Sequence, residues 1–248
     1  MNKKTIIILI LILFLILSKK KENFSSESNI TLSKKLSKND IQQLKYGQKK
    51  MTEMIKVFDK ICQKNNIKYF LVGGSLLGTV LYKGWIPWDG DIDLVINKND
   101  YEKFKNIIQL NLPKNMWFQN HQIDKNYPKD NLIVGKIRDL NSCYIEYTNN
   151  GGKDWHNGLQ IDILLYDDKN SQIKFSDKNE PNMNYDDIYP LQRKPFENFK
   201  INNINNYEKY LNNKYGKKWK KILPIEKRYP HEGKVDGEKT CELHYYMY

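Results

Sequence analysis

The sequence has no alanine, only three arginines and only three cysteines. Cys62, Cys143 and Cys241 form no CxxC pair, which excludes a zinc ribbon or a dense disulfide framework as the organising principle. One bridge and one free thiol remain open. Missing alanine and scarce arginine, beside abundant Lys, Asn and Ile, match the composition of an AT-rich genome. The lysine count is therefore a weak guide to function. No internal repeat is present. What is there suffices for a sizeable core: 248 residues, 40% hydrophobic and 12% aromatic. That makes one large domain or two small ones, with long disorder unexpected beyond the first forty or so residues.

The net charge of +12 is unevenly spread. Residues 1–50 hold eleven lysines against Glu22, Glu27 and Asp40, a net of +8. The other 198 residues carry 30 basic and 26 acidic groups, a net of only +4. A duplex-binding face would place its excess on the folded body, so no nucleic-acid partner is expected.

Ile6–Leu17 is an unbroken apolar run, and Thr5 and Ser18 extend it to fourteen uncharged residues between lysines. As a helix it reaches ~21 Å, short of a hydrocarbon core of ~30 Å, although flanking lysines can snorkel. The reading is an N-terminal hydrophobic anchor over residues 1–18, with the membrane as partner through residues 5–18. It predicts a single-pass, membrane-anchored protein of secretory-pathway or cell-surface type. A cleaved signal, giving a soluble secreted form, is the alternative, although no clear small-x-small cleavage site follows. Orientation stays open, because lysines lie on both sides. Residues 19–37 read as a polar stalk. The Asn-x-Ser/Thr triplets at Asn23 and Asn29 weigh little in an Asn-rich chain.

A catalytic domain is expected over 38–248. Ser37 and Asp40 resemble a capping box, and Ile41, Leu44, Met51, Met54, Ile55, Phe58, Ile61 and Cys62 follow helical spacing. Strand-like runs come next at Tyr69–Val72, Ile92–Ile96, Met116–Asn120, Leu132–Arg138, Cys143–Tyr147 and Leu159–Tyr166. Helical patterns cover Leu76–Tyr82, Tyr101–Leu110 and Tyr207–Tyr215. Residues 167–187 are polar and read as a surface loop or insertion. The mixture indicates an α/β or α+β fold.

Chemistry concentrates in Phe70–Ile96, FLVGGSLLGTVLYKGWIPWDGDIDLVI. Gly73 and Gly74 permit a sharp turn and the close approach of a phosphate. Ser75 offers a hydroxyl and opens a helix whose N–H groups favour an anion. In a strand, Asp91 and Asp93 point to one face about 7 Å apart, a spacing for hard cations such as Mg²⁺ (or Mn²⁺). Asp89 joins them if the strand begins early, but Gly90 leaves its geometry open. Asp162 stands inside the apolar run Leu159–Leu164, where a carboxylate needs a cation or donors. Lys136 and Arg138 alternate on one strand face and suit a diphosphate. Each piece has a plain alternative. A lone GGS is usually a turn. A calcium loop starting at Asp89 puts Asp100, not Glu, at its twelfth position and encloses apolar Leu94–Ile96, against an EF-hand. Asp162 alone could be a core residue bonded to backbone. The four histidines lack metal spacing and read as surface or structural, with His156 a candidate for the rim. Trp85 and Trp88 read as anchors, or as stacking groups for a nucleotide or sugar.

Gly74–Ile96 resembles the signature of the LicD/fukutin family of the nucleotidyltransferase-fold superfamily, G-[ST]-L-L-G-x-x-R-x-x-G-x-I-P-W-D-x-D-x-D. Here it reads Gly74-Ser75-Leu76-Leu77-Gly78, then Gly84-Trp85-Ile86-Pro87-Trp88-Asp89-Gly90-Asp91-Ile92-Asp93, with Leu81 where the family often has Arg. Gly135–Asp139, Leu159–Leu164, Tyr189–Leu191, Pro195–Glu197, Tyr207–Leu211 and Tyr215–Trp219 resemble later segments. The resemblance implies a nucleotidyltransferase-like fold with a mixed sheet flanked by helices. It implies a CDP-linked donor, a glycan acceptor, and transfer of phosphocholine, ribitol phosphate or a similar group with release of CMP. It also implies Asp91, Asp93 and Asp162 as metal-holding and catalytic residues, with Gly74, Ser75, Lys136 and Arg138 on phosphate or nucleotide. The alternatives are another enzyme of that fold, placing a nucleotide on a small molecule, protein or RNA, and a tethered binding protein with a decayed site.

Overall fold

The computed structural model describes residues 30–125, 127–146, 158–231 and 233–236. The chain divides after Thr31 into two units, and every helix and strand named here belongs to the second, which starts at Leu32. Helix α1 (Lys38–Lys64) opens with the expected capping box: Ser37 accepts from the Asp40 N–H, and Asp40 accepts from the Ser37 N–H. Strand β1 (Tyr69–Leu71) runs into α2 (Gly73–Tyr82). Next come β2 (Ile92–Asn97), α3 (Tyr101–Asn111), β3 (Met116–Gln119), β4 (Gly135–Asp139), β5 (Cys143–Glu146) and β6 (Gln160–Lys169). The chain continues through β7 (Gln172–Phe175), β8 (Met183–Asn184), α4 (Tyr185–Ile188), β9 (Gln192–Phe196), β10 (Phe199–Asn203), α5 (Tyr207–Tyr215) and β11 (Gly233–Asp236).

The central sheet has the order β1-β2-β6-β4-β3, with β7 beside the far half of β6 and β8 beside β7. Only β2 and β6 are parallel within it, so the sheet is mixed. Separate pairs are formed by β9 with β10 and by β5 with β11. The expected mixed α/β architecture, a mixed sheet flanked by helices, is what the chain adopts.

Side chains alternate across the pleat, so the register decides which residues share a face. One face carries Ile92, Ile161, Ile137 and Phe118 in a row. It is covered by α1 and α3 through edge-on rings: Phe58 against Tyr69 at 4.8 Å, Phe58 against Phe104, and Phe104 against Phe118 at 5.5 Å. Burying these aromatic side chains is a main source of cohesion here. The opposite face is covered at one end by α5, through Phe70, Tyr166, Phe175 and Tyr210. Its other end carries a row of polar residues.

Two expectations are corrected. Much of the stretch 167–187, read as a surface loop or insertion, is regular structure, and only 176–182 between β7 and β8 is irregular. Strand β6 continues to Lys169, turns at Asn170 and Ser171 (φ 52° and 60°) and returns as β7. Its outer positions are polar, and Ile173 and Met183 are its fully buried apolar residues. Such an edge hairpin has little hydrophobic periodicity to read. The second correction concerns location. The single-pass, membrane-anchored placement is not supported, because among the described residues no helix is long and apolar enough to cross a membrane. Fourteen uncharged residues also fall short of the ~20 that a span requires. The run at 5–18 itself lies outside the described residues, as do His156, His244 and Cys241. Of the other cysteines, Cys143 is disulfide-bonded and Cys62 is a free, buried thiol. Burial, then the nearby charge of Asp59, pushes the Cys62 thiol far up.

Candidate active site

A polar row crosses four strands. Asp93 of β2 is in register with Asp162 of β6, Asp162 with Lys136 of β4, and Lys136 with Gln119 of β3. Two positions along the same face stand Gln160 and, opposite it, Arg138. Asp91 lies one residue ahead of β2 and is buried. Asp162 is a neighbour of Asp93, because β2 and β6 are parallel and adjacent.

Asp162 and Lys136 are each 2% exposed. Lys136 Nζ lies 3.1 Å from Asp162 Oδ2 and donates to Gln160 Oε1 at 3.0 Å. Charges this deep persist only when paired and hydrogen-bonded. Arg138 is fully buried. Its Nε donates to Gln119 Oε1 at 2.8 Å, and its Nη1 donates to the Gly158 carbonyl at 3.2 Å and to Gln160 Oε1. One guanidinium thus ties β3, β4 and the start of β6 together beneath the row.

Beside the row lies the N-terminus of α2. Gly73 has φ +56°, the left-handed region that favours glycine. The Val72 N–H donates to the Asp93 carbonyl at 3.3 Å, and the Asp93 N–H donates to Ser75 Oγ at 2.9 Å. The Ser75 hydroxyl therefore stitches the helix to the Asp-bearing strand. A Cβ on Gly74 would stand 2.8 Å from Asp89 Oδ2, and one on Gly73 would stand 3.7 Å from Asp93 Oδ2. The two glycines leave room for two carboxylates at the positive end of a helix. Asp89, whose place the sequence left open, is thereby put at the helix start.

Two further groups come from far along the chain. The Gly73 N–H donates to the Tyr210 hydroxyl at 2.8 Å, and that hydroxyl donates to Glu180. Lys214 is the cation paired with Glu180. Tyr215, the last residue of α5, brings its hydroxyl to 4.0 Å from the Cβ position of Gly73. Burial, then the charges of Glu180, Asp89 and Asp93, push the Tyr215 phenol up, so it stays protonated. Burial and then Glu180 do the same to Tyr210. Nothing in the local pattern around Glu180 signals this role. In sequence, Tyr210 and Tyr215 stand out only as members of the helical pattern Tyr207–Tyr215 and of the C-terminal resemblance. Trp85 and Trp88 are both buried, Trp85 against Phe196 and Trp88 against Tyr82 and beneath Arg228. They serve as anchors of the loop.

The expected trio Asp91, Asp93 and Asp162 does not assemble into a ready-made cage. Among the described residues no group of three or more His, Cys, Asp or Glu is placed to hold a metal. The donor set still suits magnesium. That ion usually takes one or two carboxylates and completes its shell with water and substrate phosphate. Half-buried Asp93 and Asp89 offer carboxylate oxygens of that kind beside the glycine cradle.

Comparison with known proteins gives an independent view. A family model described as LicD/FKTN/FKRP, nucleotidyltransferase domain, matches residues 66–206. The lipopolysaccharide cholinephosphotransferase LicD of Haemophilus influenzae is 28% identical over 141 residues, 55% of this chain and 44% of that protein. An uncharacterized protein of Rickettsia typhi is 34% identical over 76 residues, 29% of this chain and 25% of its own length. One from Rickettsia prowazekii is 42% identical over 48 residues, 19% of this chain and 18% of its own. The chain spans less than half the length of these relatives. The matched segment runs from β1 through β10 and contains Gly73–Ser75, the aspartates and Lys136.

Proposed function

The chain belongs to the LicD/FKTN/FKRP nucleotidyltransferase-domain family, and from that premise we propose that it is a metal-dependent transferase of phosphorus-containing groups. It moves phosphocholine, ribitol phosphate or a similar group from a CDP-linked donor to a glycan hydroxyl and releases CMP. The observation that carries this reading is the row Asp93–Asp162–Lys136 lying against the glycine start of α2.

Asp93 and Asp89, the half-buried pair beside the glycine start of α2, would hold Mg²⁺ or Mn²⁺, which when bound neutralises the donor diphosphate. Gly74 and Ser75 present the N-terminal N–H groups of α2 to a phosphate oxygen. Lys136 supplies a fixed positive charge behind Asp162 and screens the row. Arg138 holds Gln160 and Gln119 in place rather than touching the donor. In the transfer, the acceptor oxygen forms a bond to the phosphorus that bears the substituent. The bond from that phosphorus to the oxygen bridging to CMP breaks. CMP departs with the electron pair, and the hydroxyl proton passes to a carboxylate of the row. Catalysis of this kind is positioning and charge compensation.

The test uses the full chain with Mg²⁺ or Mn²⁺, a glycan acceptor, and CDP-choline, CDP-ribitol or CDP-glycerol in separate reactions. The expected products are CMP and a glycan carrying the phosphorus-linked group, from one donor and only with metal. Pyrophosphate release from a nucleoside triphosphate, with a nucleotidylated acceptor, would replace this reading with its rival.

A further inference from the structure

Asp89 projects from a turn that Gly90 follows, and its Oδ1 accepts from the Gly90 N–H at 3.2 Å. The turn is closed by the Asp89 N–H donating to the Ile86 carbonyl at 2.9 Å. A single amide from another part of the chain grips both ends of this turn. Gln48 Nε2, on α1, donates to the Ile86 carbonyl at 3.1 Å and to the Asp89 carbonyl at 2.8 Å. One turn further along α1, Thr52 accepts from Trp85 Nε1 at 2.9 Å. Helix α1 is a firm base, because Leu44, Met51 and Ile55 are sealed in the core.

We propose that Gln48 is a positioning residue, which sets the direction of the Asp89 carboxylate towards Gly74 and so tunes how the site holds a divalent cation and the donor diphosphate. This rests on the proposed transferase function. The physical basis is geometric. An amide NH₂ has two hydrogens, and here each goes to one carbonyl of the same turn. Fixing the carbonyls of Ile86 and Asp89 fixes the peptide planes on both sides of the segment, and with them the Cα–Cβ direction of Asp89. Groups that orient a metal-binding side chain typically change metal affinity or activity about 10- to 100-fold when removed.

The test compares wild type with Gln48→Leu, which removes both donors, and Gln48→Lys, which restores a donor. Mn²⁺ affinity is read by electron spin resonance, turnover by CMP release, and folding by the melting temperature. The expected result for Gln48→Leu is Mn²⁺ affinity weakened about 10-fold and kcat lowered about 10- to 100-fold, with a melting shift of only a few degrees. Gln48→Lys recovers part of both. Wild-type Mn²⁺ affinity and kcat in Gln48→Leu overturn the proposal. So does a loss that only tracks the fraction of unfolded protein. If Gln48→Leu binds Mn²⁺ about 10-fold more weakly than wild type, but no CDP donor reacts, the positioning role stands and the transferase reading fails.

Discussion

Asp93→Asn is expected to lower turnover by about 10³-fold or more while the protein stays folded. Asn keeps the size of the side chain and removes its charge. The backbone ties of residue 93 do not depend on that charge: its N–H donates to Ser75 Oγ and its carbonyl accepts from Val72. Its neighbours Ile92 and Leu94 stay buried on the opposite face. The variant therefore separates chemistry from architecture. Asp93 is a half-buried carboxylate with Asp162 beside it in register and the Gly73 cradle in front. Activity is read by CMP release and folding by the melting curve. More than a tenth of wild-type turnover in Asp93→Asn would remove Asp93 from the reaction.

Lys136→Met is expected to act mainly on stability. Lys136 and Asp162 are equally buried and form an ion pair at 3.1 Å. Removing the ammonium strips a buried carboxylate of its cation, which costs about 3–5 kcal/mol. Gln160 Nε2, at 3.4 Å from Asp162 Oδ2, compensates weakly. Methionine fills most of the lysine volume, so a cavity contributes little. Urea denaturation measures the loss. The double variant Lys136→Met/Asp162→Asn should regain much of it, because the charge that needed compensation is gone. A single variant as stable as wild type would show that the carboxylate is satisfied without Lys136.

Local spacing encodes the part of the fold that was legible in the sequence. The Ser37/Asp40 box, the helix at Tyr207–Tyr215 and the strand carrying Asp93 arise from patterns within a few residues. The link from Asp93 to Asp162 was also within reach, since an aspartate in an apolar strand needs company. The Lys136–Asp162 pairing depends on strand order and register across 26 residues, which no periodicity reveals. Glu180, Tyr210 and Tyr215 reach Gly73 only through the tertiary fold. The hairpin β9–β10 escaped notice because most of its residues are polar or half-exposed, with Phe196 and Ile201 its buried apolar residues. Lys136 and Arg138 read alike in sequence, as alternating cations on a strand. The structure separates them, one paired with Asp162 and the other knitting strands beneath it.

The central claim is that Asp89 and Asp93, at the glycine start of α2, hold a divalent cation together with a CDP-linked donor. The measurement that addresses it most directly is Mn²⁺ binding by electron spin resonance, on wild type and on Asp93→Asn, with and without CDP-choline. The account predicts Mn²⁺ binding by wild type that tightens when the CDP compound is present, and loss of that binding in Asp93→Asn. Mn²⁺ binding that is absent from wild type, or unchanged in Asp93→Asn, would contradict it.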